Sequence, residues 1–293
     1  MFPLLLAGAG GLALVCYLIF GTSVRLRFPF LKLPLLGLVS ISLFLSCVAT
    51  GPAGNKSFIF IDSGTEIAMG KQAEKQVLAK TKTLADTDWQ NYVNKVGQSV
   101  AQFSQRKDLT YTFTVLNEKE VNAFALPGGP LYIYTGLLKL MDDEAELAAV
   151  LGHEIGHVDG RHAVRQMQPA VGLTAIEALA FGDKSPAAQQ ALNMVLAIAL
   201  TGYGRGQELE ADQFGLFYAH KAGYDPKGAV RVFKKLAGLA GAETGNRSFF
   251  ENLSATHPET KERIAKLEVE IKKLAPGGRT SRETFQRMKK RLP

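Results

Sequence analysis

VLGHEIGHVDGRH, residues 150–162, places three of the chain's five histidines and one glutamate within a single short run. On an α-helix, His153 and His157 are separated by about 400° of rotation, so they stand about 40° apart on one face, one turn above the other. Two imidazole nitrogens on that face can converge on one ion at about 2.0–2.1 Å. Glu154, beside the first histidine, can reach an ion-bound water without displacing it. His162 lies about 140° round a continuous helix from His157, points elsewhere, and reads as a supporting or helix-end group rather than a ligand. The order His-Glu-x-x-His is therefore the arrangement of a zinc hydrolase, with two ligands and a general base.

The surroundings favour that reading over an accidental match on a charged surface helix. Leu147, Val150 and Leu151 lie on an apolar stripe that Ile155 and Val158 continue, and Asp143 with Glu146 reads as a capping box opening the helix. Two histidines and a glutamate on a buried amphipathic helix are costly unless they serve a purpose.

The net charge of +7 is mild, and no aromatic-and-basic stripe of the nucleic-acid-binding kind is present. Basic residues gather at Arg25, Arg27 and Lys32 and in the ending RTSRETFQRMKKRLP, which reads as a solvated, partly helical tail. Residues 2–20 carry no charge and are just long enough to span a bilayer. A basic segment, VRLRFPFLK, and a second apolar run, LPLLGLVSISLFLSCVAT, follow with the layout of a secretory signal. Its close, LFLSC, is similar to a bacterial lipobox ending at Cys47. Whether translation starts at Met1 or near Val24, residue 50 onward is expected outside the cytoplasm. Cys16 and Cys47 are the only cysteines, so the exported part holds neither an internal disulfide nor a thiolate ligand.

Further along, an amphipathic helix is expected over about 88–106, a strand at 111–116, and two short extended pieces within NAFALPGGPLYIYTG, 122–136, broken at Pro-Gly-Gly. The metal helix follows at 143–159, then an apolar helical pair at 170–181 and 187–201. A helix carrying QELEADQ ends at Gly223, and helices at about 226–240 and 257–274 complete the pattern.

A catalytic zinc site needs a third protein ligand. His220, His257 and the acids of QELEADQ are the candidates. Glu208 and Asp212 are four apart and share a helix face, while Glu210 points away from both. One carboxylate can bind the ion and the other can accept the N–H of a ligand histidine.

From about Glu66 to about Leu267 the chain resembles the peptidase family that includes the CAAX prenyl protease, the HtpX heat-shock membrane protease, the mitochondrial Oma-type protease and periplasmic relatives. The resemblance is carried by NAFALPGG at 122–129, ELAAVLGHEIGHVDGRH, GRGQELEAD at 204–212 and THPETKERI at 256–264. Gly204 departs from it, because relatives usually carry serine before the arginine. The resemblance implies an α+β, mostly helical, zincin-like (minigluzincin) core, with a small sheet whose edge strand lies over the metal helix. It implies Glu208 as third ligand beside His153 and His157, Glu154 as base, and Asp212 as the residue supporting a ligand histidine. It gives Asn122, Ala123 and Phe124 to an edge strand that receives extended substrate, and His257 either to the oxyanion or to the ion's open position.

The organisation expected is an export signal or anchor over 1–50, a tether over 51–64, a zinc metallopeptidase domain over 65–275 and a basic tail over 276–293. The function expected is a zinc-dependent endopeptidase acting on unfolded or misassembled proteins in the cell envelope. Zinc, with His257 or Arg205, would stabilise the oxyanion. The chain would face the periplasm, held by lipid on Cys47 or by an N-terminal transmembrane segment. The alternative is a catalytically quiet, zinc-stabilised module that binds unfolded envelope proteins; a purely structural site would not need Glu154.

Overall fold

Residues 47–50, 55–240 and 260–293 are described in the structure, a computed structural model, with side chains for 59–238 and 261–293. All belong to one unit, Cys47–Pro293. The first N-terminal apolar run, the second as far as Ser46, and His257 lie outside the described residues. Among the described residues no helix is long and apolar enough to cross a membrane.

Strands β1 (Cys47–Thr50) and β2 (Asn55–Phe58) pair antiparallel. Helix α1 (Ser63–Lys80) starts where Asp62 accepts the Thr65 N–H at 3.0 Å. Helix α2 (Thr87–Ala101) is capped by Asp86 and buries Trp89, Val93, Val96 and Val100, the stripe its periodicity implied. Strands β3 (Thr112–Leu116), β4 (Ala123–Ala125) and β5 (Pro130–Tyr134) form a sheet ordered β3-β5-β4, with β5 parallel to β3 and antiparallel to β4. The β4–β5 turn runs through Pro127-Gly128-Gly129, where Gly128 takes φ 81°, open to glycine without steric cost.

After the short helix α3 (Thr135–Leu140) comes α4 (Glu144–Asp159), buried from Ala145 to Asp159. Asp143 caps it by accepting the Glu146 N–H at 3.0 Å; Glu146 returns its own bond to the Asp142 N–H rather than to the cap residue. Helix α5 (His162–Met167) follows, then α6 (Leu173–Ala180) and α7 (Pro186–Thr201), which pack with α1 and Tyr132 in one apolar cluster. Helices α8 (Arg205–Lys221) and α9 (Lys227–Ala240) pack on α4, α10 (Thr260–Ile271) packs on α8 and α9, and α11 (Arg282–Lys289) ends the chain. This is the mostly helical α+β architecture expected.

Two stretches pack more than their sequence suggests. Within the expected tether, Asn55–Phe58 is paired, and Ile59 and Ile61 are buried. They alternate in an extended segment, so both face the same side. The expected solvated tail is instead docked. Phe285 is fully buried, edge-on to Trp89 at 5.9 Å, and the Trp89 Nε1–H donates to the Met288 carbonyl at 3.1 Å. Phe285, Met288 and Leu292 recur at helical spacing, an apolar stripe that the surrounding lysines and arginines conceal.

Candidate metal centre

Helices α4 and α8 meet at backbone distance, and that approach builds the site. A Cβ on Gly152 would stand 2.9 Å from the Gly215 carbonyl oxygen, and one on Gly156 would stand 2.9 Å from that of Ala211. Side chains one turn along each helix are thereby forced into contact. Among the described residues, one group of buried potential ligands converges, His153, His157 and Glu208, with ligand atoms within 4.8 Å of one another. The two Nε2 atoms are 3.0 Å apart, and each lies 3.5 Å from a Glu208 carboxylate oxygen. A tetrahedral ion with bonds of about 2.0–2.1 Å spaces its ligands by about 3.3 Å, so the donor set fits zinc.

Each ligand is held from behind. His153 Nδ1 lies 2.9 Å from Asp212 Oδ1, as the resemblance implied. His157 Nδ1 lies 2.8 Å from His162 Nδ1, and its ring stacks on Tyr203 with centroids 4.0 Å apart. Arg263, from α10, donates to both Asp212 oxygens at 2.7 and 2.6 Å and reaches Glu208 Oε2 at 2.8 Å. Its guanidinium also sits over the Phe233 ring at 4.7 Å.

The electrostatics follow from this crowding. Burial opposes charge on His153, yet Asp212 and Glu208 outweigh it and carry its pKa up to about 9, so ion entry displaces a proton. Burial pushes Asp212 up, but Arg263 and His153 hold it below the ordinary carboxylate value. Arg263 is raised despite burial by Asp212, Glu208 and Glu154. Burial lowers His162, against the pull of Glu210. Burial, then the charges of Glu154 and Glu208, raise the Tyr203 phenol. Glu154 is itself buried, on α4 next to His153 in the chain.

The other expected site residues are Arg205 and those of strand β4, which packs against α4. Arg205 forms a largely exposed pair with Glu262 at the start of α8. Strand β4 is the last strand of its sheet, with Ala123, Phe124 and Ala125 buried. Tyr134 N–H bonds to the Asn122 carbonyl and Leu126 N–H to the Pro130 carbonyl. By alternation, the backbone groups of Asn122, Phe124 and Leu126 face β5, and those of Ala123 and Ala125 face the other edge. Sequence reasoning missed Arg263, Tyr203 and the use of Glu210. Arg263 lies in the THPETKERI segment, but nothing local marks an arginine as buried.

Two histidines one turn apart, a glutamate between them, and a carboxylate from a second helix are the donor pattern of zinc metallopeptidases of the gluzincin class. The model of peptidase family M48 matches residues 88–271, and the chain belongs to that family. It is 31% identical to metalloprotease LoiP of Escherichia coli, over 76% of this chain and 92% of that protein. It is 30% identical to the mitochondrial metalloendopeptidase OMA1 of Arabidopsis thaliana, over 69% and 44%. It is 29% identical to the beta-barrel assembly-enhancing protease of Escherichia coli, over 78% and 48%. The chain spans about half the length, or less, of the last two relatives.

Proposed function

We propose that the chain is a zinc-dependent endopeptidase that cleaves extended segments of unfolded or misassembled proteins in the cell envelope. The convergence of His153, His157 and Glu208 beside the buried Glu154 carries this reading. A zinc ion held there supplies Lewis acidity, lowering the pKa of a water and polarising a carbonyl. Glu154 accepts the proton of the attacking water and passes it to the departing amine. Asp212 and Arg263 keep His153 and Glu208 in place. The outward backbone groups of Ala123 and Ala125 offer an extended peptide a strand partner whatever its sequence, which suits unfolded substrates. Oxyanion stabilisation falls to His257, or to Arg205 once released from Glu262.

The name of the beta-barrel assembly-enhancing relatives and the apolar leader support envelope placement. Anchoring through lipid on Cys47 or through the N-terminal apolar run is part of the same proposal. Incubating the purified chain with unfolded casein, with and without a chelator, tests the activity. Glu154→Gln is expected to abolish cleavage while keeping one zinc per chain. Full activity in that variant ends the mechanism, and a wild-type chain that binds casein and zinc without cutting favours the quiet module.

A further inference from the structure

The structure gives the third acid of α8, Glu210, a task at the metal centre. Helix α4 ends at Asp159, and Arg161 then takes φ 49°, ψ 39°, the left-handed region that side-chain-bearing residues seldom enter. This breaks the helix and turns the next residue back. On a continuous helix His162 would stand about 140° round from His157; here their Nδ1 atoms are 2.8 Å apart. Gly160 makes room, because a Cβ there would stand 2.2 Å from His162 Nε2. On its far side, His162 Nε2 lies 3.2 Å from Glu210 Oε2, and Arg165 Nη1 donates to that same oxygen at 2.9 Å. The His162 carbonyl also accepts the Gln207 side-chain N–H at 3.2 Å. His162 is fully buried and Glu210 nearly so.

We infer that His162 and Glu210 are positioning residues for His157, which rests on the metal-site reading above. For His157 to offer its Nε2 lone pair to an ion, its proton must sit on Nδ1. His162 Nδ1 then accepts that proton's bond, so the His162 proton sits on Nε2 and points at Glu210. Arg165 holds the carboxylate at the end of this chain. The three acids of QELEAD thus divide the work. Glu208 faces the ion, Asp212 orients His153 directly, and Glu210 orients His157 through an intervening imidazole. Such outer partners fix ligand tautomer and ring orientation.

The test is Zn2+ affinity of the full chain, measured by competition with a chromophoric chelator, and the visible absorption of the Co2+ form. His162→Leu removes the acceptor and is expected to weaken Zn2+ binding about 10–100-fold and to alter the Co2+ spectrum. His162→Asn sets an amide oxygen near the lost Nδ1, and its affinity is expected within about threefold of wild type. Both variants lose the bond to Glu210, so a purely structural role would lower their metal-free thermal midpoints and their affinities alike. Zn2+ bound by His162→Leu as tightly as by wild type, or by His162→Asn as weakly as by His162→Leu, overturns the inference. A wild-type chain that takes up no Zn2+ strikes the metal-site reading instead.

Discussion

Replacing Arg263 with methionine removes the arginine that bridges Asp212 and Glu208 and leaves His153 as the remaining side chain in contact with both. The Arg263 side chain is 4% exposed, Asp212 4% and Glu208 0%, so water cannot take over its three short contacts. Breaking a buried pair by removing one partner costs about 3–5 kcal/mol. Here two buried carboxylates lose their arginine but keep His153, which puts the metal-free protein within that range. For a unit of this size, each kcal/mol moves the midpoint by about 2–4 °C, so a fall of about 6–20 °C is expected. Arg263→Lys keeps the charge but cannot span both carboxylates with a planar fork, and should fall between the two. Urea and thermal unfolding with a chelator present measure the effect. A methionine variant within about 1 kcal/mol of the parent would falsify the argument that this guanidinium holds the carboxylate cluster together.

Phe285→Ala empties a fully buried site against Trp89 and should cost about 3–5 kcal/mol without changing zinc content. Trp89 is the chain's one tryptophan, so its emission should shift to the red as water enters. Ala125→Pro deletes an N–H that faces away from β5, leaving the sheet bonds intact. It should raise KM for peptide substrates about fivefold, the worth of one hydrogen bond near 1 kcal/mol, with an unchanged circular dichroism spectrum. Asp108 is held well below the ordinary carboxylate range, first by its hydrogen bonds from Arg106 and then by Ser63. A depressed carboxylate contributes stability above its unfolded value of about 3.9 and loses it as pH falls towards the folded value. Asp108→Asn should therefore flatten the acid limb of the stability profile below about pH 4, and an unchanged limb refutes the assignment.

Much of the centre is legible because it depends on one helix at a time. The four-residue spacing that aligns His153 with His157 also aligns Glu208 with Asp212, and each pair follows from helix geometry alone. The apolar stripes of α2 and α4 and the Pro-Gly-Gly turn are local in the same sense. His162 reads as a supporting group in the sequence, but helix geometry points it away from His157, and only the left-handed Arg161 turns it back. Glu210 was set aside because it lies off the face of its neighbours, yet α5 brings His162 to meet it. The tail was read by its charge, and its three apolar side chains decided otherwise.

Taken alone, the sequence determined which side chains share a face, that two imidazoles and a glutamate sit on a buried helix, and hence which chemistry to expect there. Only the tertiary structure decided that Glu208 meets the two histidines, that Arg263 clasps it, and that Tyr203 covers His157. Periodicity is a property of a few consecutive residues. Contact between α4 and α8 depends instead on glycines on one helix meeting small residues of another some sixty positions away, and no local pattern encodes that meeting.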